Sequence, residues 1–215
     1  MRPRRRRVRL ARRALALTAV ALAAGPALAG GPPGSLAGRV ALGVEGVQLR
    51  DVAPVVVYLD AVEGRLAYEK PRSVAKVTQR DARFAPPFLV VVAGQTVVMP
   101  NDDAIYHNVF SYSKPNDFDL GLYPAGELRQ VVFHEPGLVK TYCSIHESMN
   151  GSIFVAPSPW WAVAGRDGAW SIPGVPPGRY RLRAWSEKLP GATRVVEIAP
   201  GERLAVELAI GAAAP

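Results

Sequence analysis

Short runs of strand-forming residues, separated by turn residues, recur along most of this chain and restrict it to a β fold. Phe88–Val92 and Thr96–Met99 flank a turn at Gly94, and Val55–Leu59 and Arg179–Trp185 have the same β-branched or alternating character. Beyond the first 29 residues, no segment has the apolar periodicity of a helix. Regularly spaced short strands favour a β-sandwich, so we predict an all-β fold.

Polar and turn-forming stretches predict the connections between these strands. Residues 60–73 are polar and irregular, and predict a crossover. We expect a long polar loop containing Pro115 and Gly121, and a turn over Pro173–Gly178. Val44–Leu49, by contrast, predicts a short strand.

Residues 1–29 have the features of a secretory signal peptide. Eight of the 26 lysines and arginines lie there without any acidic residue, and lead into the apolar run Ala14–Ala24. That run is too short to span a bilayer comfortably, and small residues ending at Ala29 form a cleavage pattern. We expect cleavage before Gly30, a periplasmic location and no stable membrane anchor in the mature protein; an uncleaved anchor is the alternative. Arg12-Arg13 leaves both Sec and twin-arginine export open.

The net charge of +8 does not indicate a nucleic-acid partner. Once residues 1–29 are set aside, the remaining 18 basic residues balance 18 acidic ones. Binding to nucleic acid relies on a basic surface, so we expect no such partner for the mature protein.

The only cysteine lies in a run that offers three kinds of metal ligand. Tyr142–Met149 contains Cys143, His146 and Met149 at the spacing C-x2-H-x2-M, and His107 lies earlier among strand-forming residues. Two imidazoles and a thiolate with a weak axial methionine form the ligand set of a mononuclear blue copper centre, cycling between Cu(I) and Cu(II). A lone thiol in an oxidising compartment is a liability unless something such as a metal occupies it.

The predicted strands support a shared site, although two other interpretations remain open. Cys143 ends one predicted strand and Met149 precedes the next, so both lie on one tight loop that His107 must reach from another strand. Zinc also accepts histidine and cysteine, although structural zinc sites prefer four strong ligands. Buried cysteine and methionine are also ordinary core residues. We predict that His134 is a surface residue and that Met99 belongs to the core.

Two segments, Asn101–Phe110 and Tyr142–Met149, resemble the cupredoxin family, specifically its plastocyanin and amicyanin branch. The spacing C-x2-H-x2-M is that of amicyanins, whereas plastocyanins use C-x2-H-x4-M. The resemblance covers roughly Val74–Ala156. It implies a Greek-key β-sandwich that holds one copper ion.

The same resemblance implies a role for each site residue. Electrons would pass through His146, whose neighbours Glu147 and Ser148 are more polar than the apolar patch common in the family. Hydrogen bonding by Asn108 would tie the two ligand loops together and tune the metal. The implied ligands are His107, Cys143 and His146 in the equatorial plane and Met149 on the axis.

A second resemblance concerns the C-terminal part of the chain. Asp167–Ile172 with Val175–Leu182 is similar to the carboxypeptidase-regulatory-like β-sandwich module. That family opens with a G-x-V strand and a later apolar strand, for which the candidates here are Gly38–Val40 and Pro54–Leu59. We therefore hypothesise that residues 36–62 and 160–212 form one small β-sandwich, with the cupredoxin region inserted between them.

This organisation divides the chain into four parts and assigns packing roles to its tryptophans. We interpret Trp160, Trp161, Trp170 and Trp185 as core and interdomain packing, with carbohydrate binding as the alternative. The parts are a signal peptide (1–29), an N-terminal β segment (30–73), a cupredoxin copper-binding domain (74–157) and a carboxypeptidase-regulatory-like β-sandwich (158–212).

Composition narrows the function to electron transfer or copper handling. Three histidines cannot supply the additional copper sites of a multicopper oxidase or a copper nitrite reductase, and one cysteine cannot build a thiolate-bridged dinuclear centre. The chain also lacks the C-x-x-C-H of a c-type haem and any paired-carboxylate motif for hydrolysis. We expect a non-enzymatic blue copper protein that carries single electrons between redox protein partners. A periplasmic copper-delivery protein without redox cycling is the first alternative, and an assembly protein stabilised by copper is the second.

Overall fold

The computed structural model describes residues 31–211 and shows an almost entirely β protein, as predicted. The predicted signal peptide lies outside the described residues. Only one short helix, α1 (Leu49–Val52), occurs in the part described, and no helix there is long and apolar enough to cross a membrane. The strands are β1 (Gly34–Leu42), β2 (Val55–Ala61), β3 (Ala75–Lys76), β4 (Thr78–Arg80), β5 (Arg83–Ala85), β6 (Phe88–Val92), β7 (Thr96–Pro100), β8 (His107–Ser111), β9 (Phe118–Tyr123), β10 (Leu128–Val132), β11 (Gly137–Tyr142), β12 (Asn150–Ala156), β13 (Trp161–Val163), β14 (Ala169–Val175), β15 (Gly178–Ser186), β16 (Ala192–Ile198) and β17 (Arg203–Ile210).

The middle of the chain forms one sandwich, here called the middle sandwich. Its larger sheet has the strand order β6-β12-β11-β8-β9, its smaller sheet has the order β10-β7-β3, and the β4-β5 hairpin is separate. Successive side chains of a strand point to opposite faces. Accordingly, Val97 of β7 and Val109 of β8 are fully buried in one hydrophobic cluster between the sheets. Met99 lies in the same core and His134 is exposed, as predicted.

Strands from either side of the middle sandwich combine into a second one, here called the outer sandwich. Its two sheets, β14-β1-β17 and β13-β2-β15-β16, contain only strands from residues 34–61 and 161–210. The pairing of β1 with β17 is parallel and runs from Ser35–Arg203 to Leu42–Ile210. These pairings follow the arrangement that the insertion hypothesis requires, while the exact domain boundaries stay a prediction.

A small apolar cluster joins the two sandwiches. Val56 and Tyr58 of β2 pack with Val90 of β6 and with Phe154 of β12. The Phe154 ring centroid lies 4.6 Å from that of Trp185 on β15. Since β2 also contributes to the outer core, it is buried on both faces, which explains its apolar run Val55–Leu59.

The four tryptophans pack in the outer sandwich or at this junction. Trp170 is buried in the outer core and Trp160 packs against that core. Trp161 and Trp185 pack against the joining cluster. Their packing agrees with the interpretation from the sequence.

The prediction of a strand over Val44–Leu49 is wrong. The chain instead turns there, with Gly46 at φ +75°, and enters helix α1 at Leu49. The Asp51 carboxylate accepts the backbone N–H of Gln48 at 3.1 Å, which satisfies a free donor at the start of the helix. Local hydrogen bonds of this kind compete with sheet pairing.

Two predicted connections also contain strand residues. The polar loop expected around Pro115 and Gly121 includes β9, and the turn expected over Pro173–Gly178 includes the end of β14. Strand β9 is irregular because its pairing with β8 shifts register between Asn108 and Phe110, and Gly121 adopts φ +66°. Such a bulge interrupts the alternation that identifies a strand in a sequence.

The larger sheet of the middle sandwich brings the predicted ligands to one end. Tyr142, the last residue of β11, pairs with Phe110 of β8 on one side and with Asn150 of β12 on the other. The chain that continues beyond Tyr142 therefore runs antiparallel beside the start of β8. That start is His107.

Candidate metal centre

His107 is the first residue of β8 and its side chain is fully buried. Its Nε2 lies 2.9 Å from Oδ2 of Asp103, and its Nδ1 lies 3.8 Å from the sulfur of Cys143. An ionised carboxylate can only accept hydrogen bonds, so the proton of a neutral His107 belongs on Nε2. The lone pair of Nδ1 is then directed toward the thiol and is available to a metal.

Asp103 is a site residue that the sequence analysis missed. Its Oδ2 also accepts the backbone N–H of Ala82 at 2.7 Å. This backbone hydrogen bond, followed by the one to His107, holds the pKa of the Asp103 carboxyl below its ordinary value. The carboxyl is therefore ionised at neutral pH and acts as an acceptor for His107.

Asn101 gives the loop before His107 its shape. Its fully buried side chain donates to the carbonyl of Ile105 at 2.8 Å and accepts the N–H of Asp103 at 3.0 Å. These bonds close the turn from the end of β7 and fix the position of Asp103 relative to His107.

The loop from Cys143 to Met149 is compact and connects β11 to β12. The Cys143 N–H donates to the Met149 carbonyl at 3.2 Å, and the Met149 N–H donates to the His146 carbonyl at 2.9 Å. Cys143 is a free, buried thiol, and its sulfur lies 3.7 Å from Nδ1 of the half-buried His146. Backbone hydrogen bonding thus keeps a thiol and an imidazole on the same side of a short loop.

His107, Cys143 and His146 form a cluster that could hold a metal ion. Their ligand atoms all lie within 4.8 Å of one another, and the two imidazole centroids are 4.7 Å apart. Metal bonds of about 2.0 Å to nitrogen and about 2.3 Å to sulfur, at ordinary angles, place the two atoms roughly 3.5–3.8 Å apart. The observed separations of 3.7 and 3.8 Å agree with such an arrangement. A thiolate with two imidazoles suits copper or zinc.

Met149 and Asn108 lie next to this cluster. Met149 is 1% exposed and belongs to the same hydrophobic cluster as Cys143; its axial role stays a prediction. Asn108 is buried, and its Oδ1 accepts the N–H of Ser144 at 2.6 Å. This hydrogen bond ties strand β8 to the loop that carries Cys143, whereas its effect on a bound metal stays a prediction.

The surface beside the loop is more apolar than Glu147 and Ser148 alone suggest. A cavity of about 740 Å³ next to Cys143 is lined by Phe110, Tyr112, Tyr142 and Ile145 among others. The Phe110 ring lies 5.1 Å from that of Tyr112 and 5.8 Å from that of Tyr142. Three of these side chains are exposed, so the thiol is bordered by an aromatic surface.

Comparisons with solved structures find cupredoxins at low identity. The chain is 26% identical to a purple cupredoxin from Nitrosopumilus maritimus, with 38% of this chain and 99% of that chain covered and a TM-score of 0.35. It is 22% identical to a mutant of amicyanin in its reduced state, with 46% of this chain and 97% of that chain covered and a TM-score of 0.36. A copper-containing nitrite reductase from Thermus scotoductus SA-01 is 24% identical, with 46% of this chain but 26% of that chain covered and a TM-score of 0.39.

One family model matches the C-terminal part of the chain. The search of curated proteins finds no match to the chain. The matching family, described as polysaccharide lyase family 4, domain II, covers residues 158–206. This description differs from the carboxypeptidase-regulatory-like module, which stays a prediction.

Proposed function

We propose that this chain is an exported protein that binds one copper ion and carries single electrons between redox protein partners. The observation that carries the proposal is the approach of two imidazole Nδ1 atoms, at 3.7 and 3.8 Å, to one buried thiol. Copper held by such ligands supplies a one-electron Cu(I)/Cu(II) couple. The ligands we propose are His107, Cys143, His146 and Met149, with Asn108 supporting them.

The protein's own contribution is to hold these side chains still. Asp103 orients the His107 ring, and Asn108 fixes the start of the Cys143 loop. Cys143 would give up its thiol proton to become a ligand, and its 6% exposure limits contact with oxidants in solution. A rigid ligand set reduces the rearrangement that accompanies a change in metal charge.

His146 is the most exposed of the three clustered residues. His107 and Cys143 are buried, whereas His146 is half-buried and has exposed neighbours on its loop. A redox partner that docks over His146 would approach the site without any opening of the fold.

We also propose a periplasmic location and a non-enzymatic role. Residues 1–29 support export through their basic, apolar and small-residue segments. The single cysteine and the two clustered histidines would provide ligands for one mononuclear copper site of this type.

A Cu(II) titration of the purified mature protein, followed by visible absorption, tests this function. We expect an intense thiolate-to-copper band that saturates at one equivalent. Cys143→Ser and His107→Ala should abolish the band, whereas Met149→Leu should keep it and shift the reduction potential. His134→Ala is the matched control, since His134 is exposed and lies outside the ligand cluster.

A colourless protein at saturating Cu(II), or an unchanged band in Cys143→Ser, would refute the site. If the absorption band forms, cyclic voltammetry separates electron transfer from copper delivery. Reversible reduction supports electron transfer, whereas ready loss of Cu(I) to a chelator would identify a copper-delivery protein.

A further inference from the structure

A cavity of about 650 Å³ lies at the junction of the two sandwiches, away from the metal centre. Its floor includes Tyr58 of β2, Phe154 of β12 and Trp185 of β15. The crossover between β2 and β3 forms part of its rim through Arg65 and Lys70. Small-molecule sites are concave, measure about 300–1,000 Å³ and often occur at domain junctions.

The floor of this cavity, here called the junction pocket, is aromatic. The Phe154 ring lies 4.6 Å from that of Trp185 and 5.4 Å from that of Tyr58. Burial raises the pKa of the Tyr58 phenol, in spite of the opposing effect of Arg183. Tyr58 is therefore neutral at physiological pH. Tyr58 and Phe154 are buried, and the half-buried Trp185 is the most exposed of the three rings, so it offers an apolar surface to a flat ring.

Cations outnumber carboxylates in the junction pocket. Arg183 lies 3.6 Å from Asp60, and Arg65 pairs with Glu135 at 2.8 Å. Lys70 forms no ion pair within the described residues 31–211, so one positive charge has no ion-pair partner there. A single anionic group on a ligand would balance it.

Arg183 also has an unused hydrogen-bond donor. Its Nε–H is buried and has no acceptor among the residues described. A buried donor without an acceptor destabilises the folded state. The planar guanidinium fork binds carboxylates through paired N–H groups, so a carboxylate that reached Arg183 after a small side-chain rotation would satisfy this donor.

We propose that the junction pocket binds a small organic acid, a carboxylate carried on a six-membered ring. The ring would lie on the aromatic floor, and its carboxylate would face Arg183 and Lys70. Two sources share this chemistry, an aromatic acid and a sugar acid. Because none of these residues belongs to the metal cluster, the proposal is independent of the copper function.

The test is an NMR titration of the metal-free protein with benzoate and, separately, with D-galacturonate. We expect shifts of the Trp185 indole N–H and of the Ala93 and Gly137 amides, which line the pocket. The uncharged counterparts, benzamide and D-galactose, should bind at least about tenfold more weakly, since a charged hydrogen bond of about 1.5–3 kcal/mol is lost. Binding of only one acid would identify its source as aromatic or sugar.

Two variants and one control locate the binding. Arg183→Gln and Lys70→Gln should each weaken the binding of the acid, Arg183→Gln by at least about tenfold. Arg179→Gln is the control, because Arg179 lies on the same strand, is exposed and does not line the pocket. Lys70 is exposed on the crossover, so Lys70→Gln keeps the test valid even if Arg183→Gln fails to fold.

Three results would overturn the proposal. The first is the absence of shifts with either acid at millimolar concentration. The second is equal binding of an acid and its uncharged counterpart, and the third is equal affinity in Lys70→Gln and Arg179→Gln.

Discussion

At the scale of single residues, one carboxylate determines which nitrogen of His107 keeps a lone pair toward the candidate metal centre. Asp103 accepts the Nε2 proton at 2.9 Å, so Nδ1 keeps its lone pair toward Cys143. Outer partners of this kind fix the tautomer and orientation of a histidine ligand and raise its basicity. The geometry at Cys143 therefore depends on a side chain that touches neither the thiol nor His146.

Replacing Asp103 with asparagine should weaken copper binding, because the amide lacks the charge and can present N–H groups to His107. Loss of such a partner typically lowers metal affinity by about 10–100-fold. We expect a change of this size in a competition titration with a copper chelator. In the metal-free variant, nitrogen NMR of the imidazole should show loss of the single Nε2–H tautomer.

Asp102→Asn provides the control for Asp103. Asp102 precedes it in the sequence, pairs with Arg80 at 3.4 Å and makes no hydrogen bond to His107 in the structure described. An unchanged tautomer and affinity in Asp103→Asn would contradict the role that we assign to this carboxylate.

The sequence identified the clustered residues and Asn108, but not Asp103 and Asn101, which position His107. Cysteine and histidine are scarce in this chain, so Cys143 and His146 stand out by type and spacing. Carboxylates are common, and Asp102 and Asp103 are alike in sequence. Only the turn closed by Asn101 directs one of them at His107.

At the scale of elements, strand β1 depends on a close approach to β17. A Cβ atom built on Gly38 would lie 1.8 Å from the carbonyl oxygen of Val206 and 3.1 Å from the Trp170 ring. Gly38→Ala should therefore push the two strands apart. We expect a loss of about 1–3 kcal/mol in the free energy of unfolding, measured by urea titration with tryptophan fluorescence.

The exposed neighbour Ala37 supplies the comparison for Gly38. Ala37→Ser changes the same strand at a solvent-facing position and should alter the free energy of unfolding by less than about 0.5 kcal/mol. Equal stability of Gly38→Ala and Ala37→Ser would show that β1 and β17 are not in close contact.

Strands with a clear apolar pattern were predictable, and those shaped by local contacts were not. Phe88–Val92 coincides with β6 because its five residues are continuously apolar and lie in a well-buried strand. The prediction over Val44–Leu49 failed because glycine and a capping carboxylate favour a turn and a helix there. Strand β9 was not predicted, because Asp119 and Gly121 interrupt its apolar positions.

At the scale of the whole molecule, Phe154 connects the two sandwiches. It is 3% exposed, belongs to a strand of the middle sandwich and contacts rings from the outer one. Phe154→Ala should lower the free energy of unfolding by about 3–5 kcal/mol. It should also uncouple the sandwiches, so that copper colour and tryptophan fluorescence are lost at different urea concentrations.

The unmodified protein should lose copper colour and tryptophan fluorescence at the same urea concentration. Phe154→Leu should also lose the two signals together, because leucine keeps much of the apolar volume. Coincident loss of the two signals in Phe154→Ala would show that the joining cluster does not couple the sandwiches.

The arrangement of the two sandwiches was only partly predictable from local patterns. The order of motifs suggested an insertion, yet no local signal specifies that Ser35 pairs with Arg203. Register between such distant strands depends on the packing of Leu36, Leu59 and Trp170 into one core.

The parallel pairing of β1 with β17 has a consequence for the order of assembly as the chain leaves the ribosome. All strands of the middle sandwich lie within residues 75–156, so they become available together. Both neighbours of β1 in its sheet, β14 and β17, are made after the middle sandwich, and β17 is the last strand described. Domains generally fold as units during synthesis. The cluster of His107, Cys143 and His146 can therefore take shape while β1 and β2 are still unpaired, and the first two strands of the part described are among the last to find their partners.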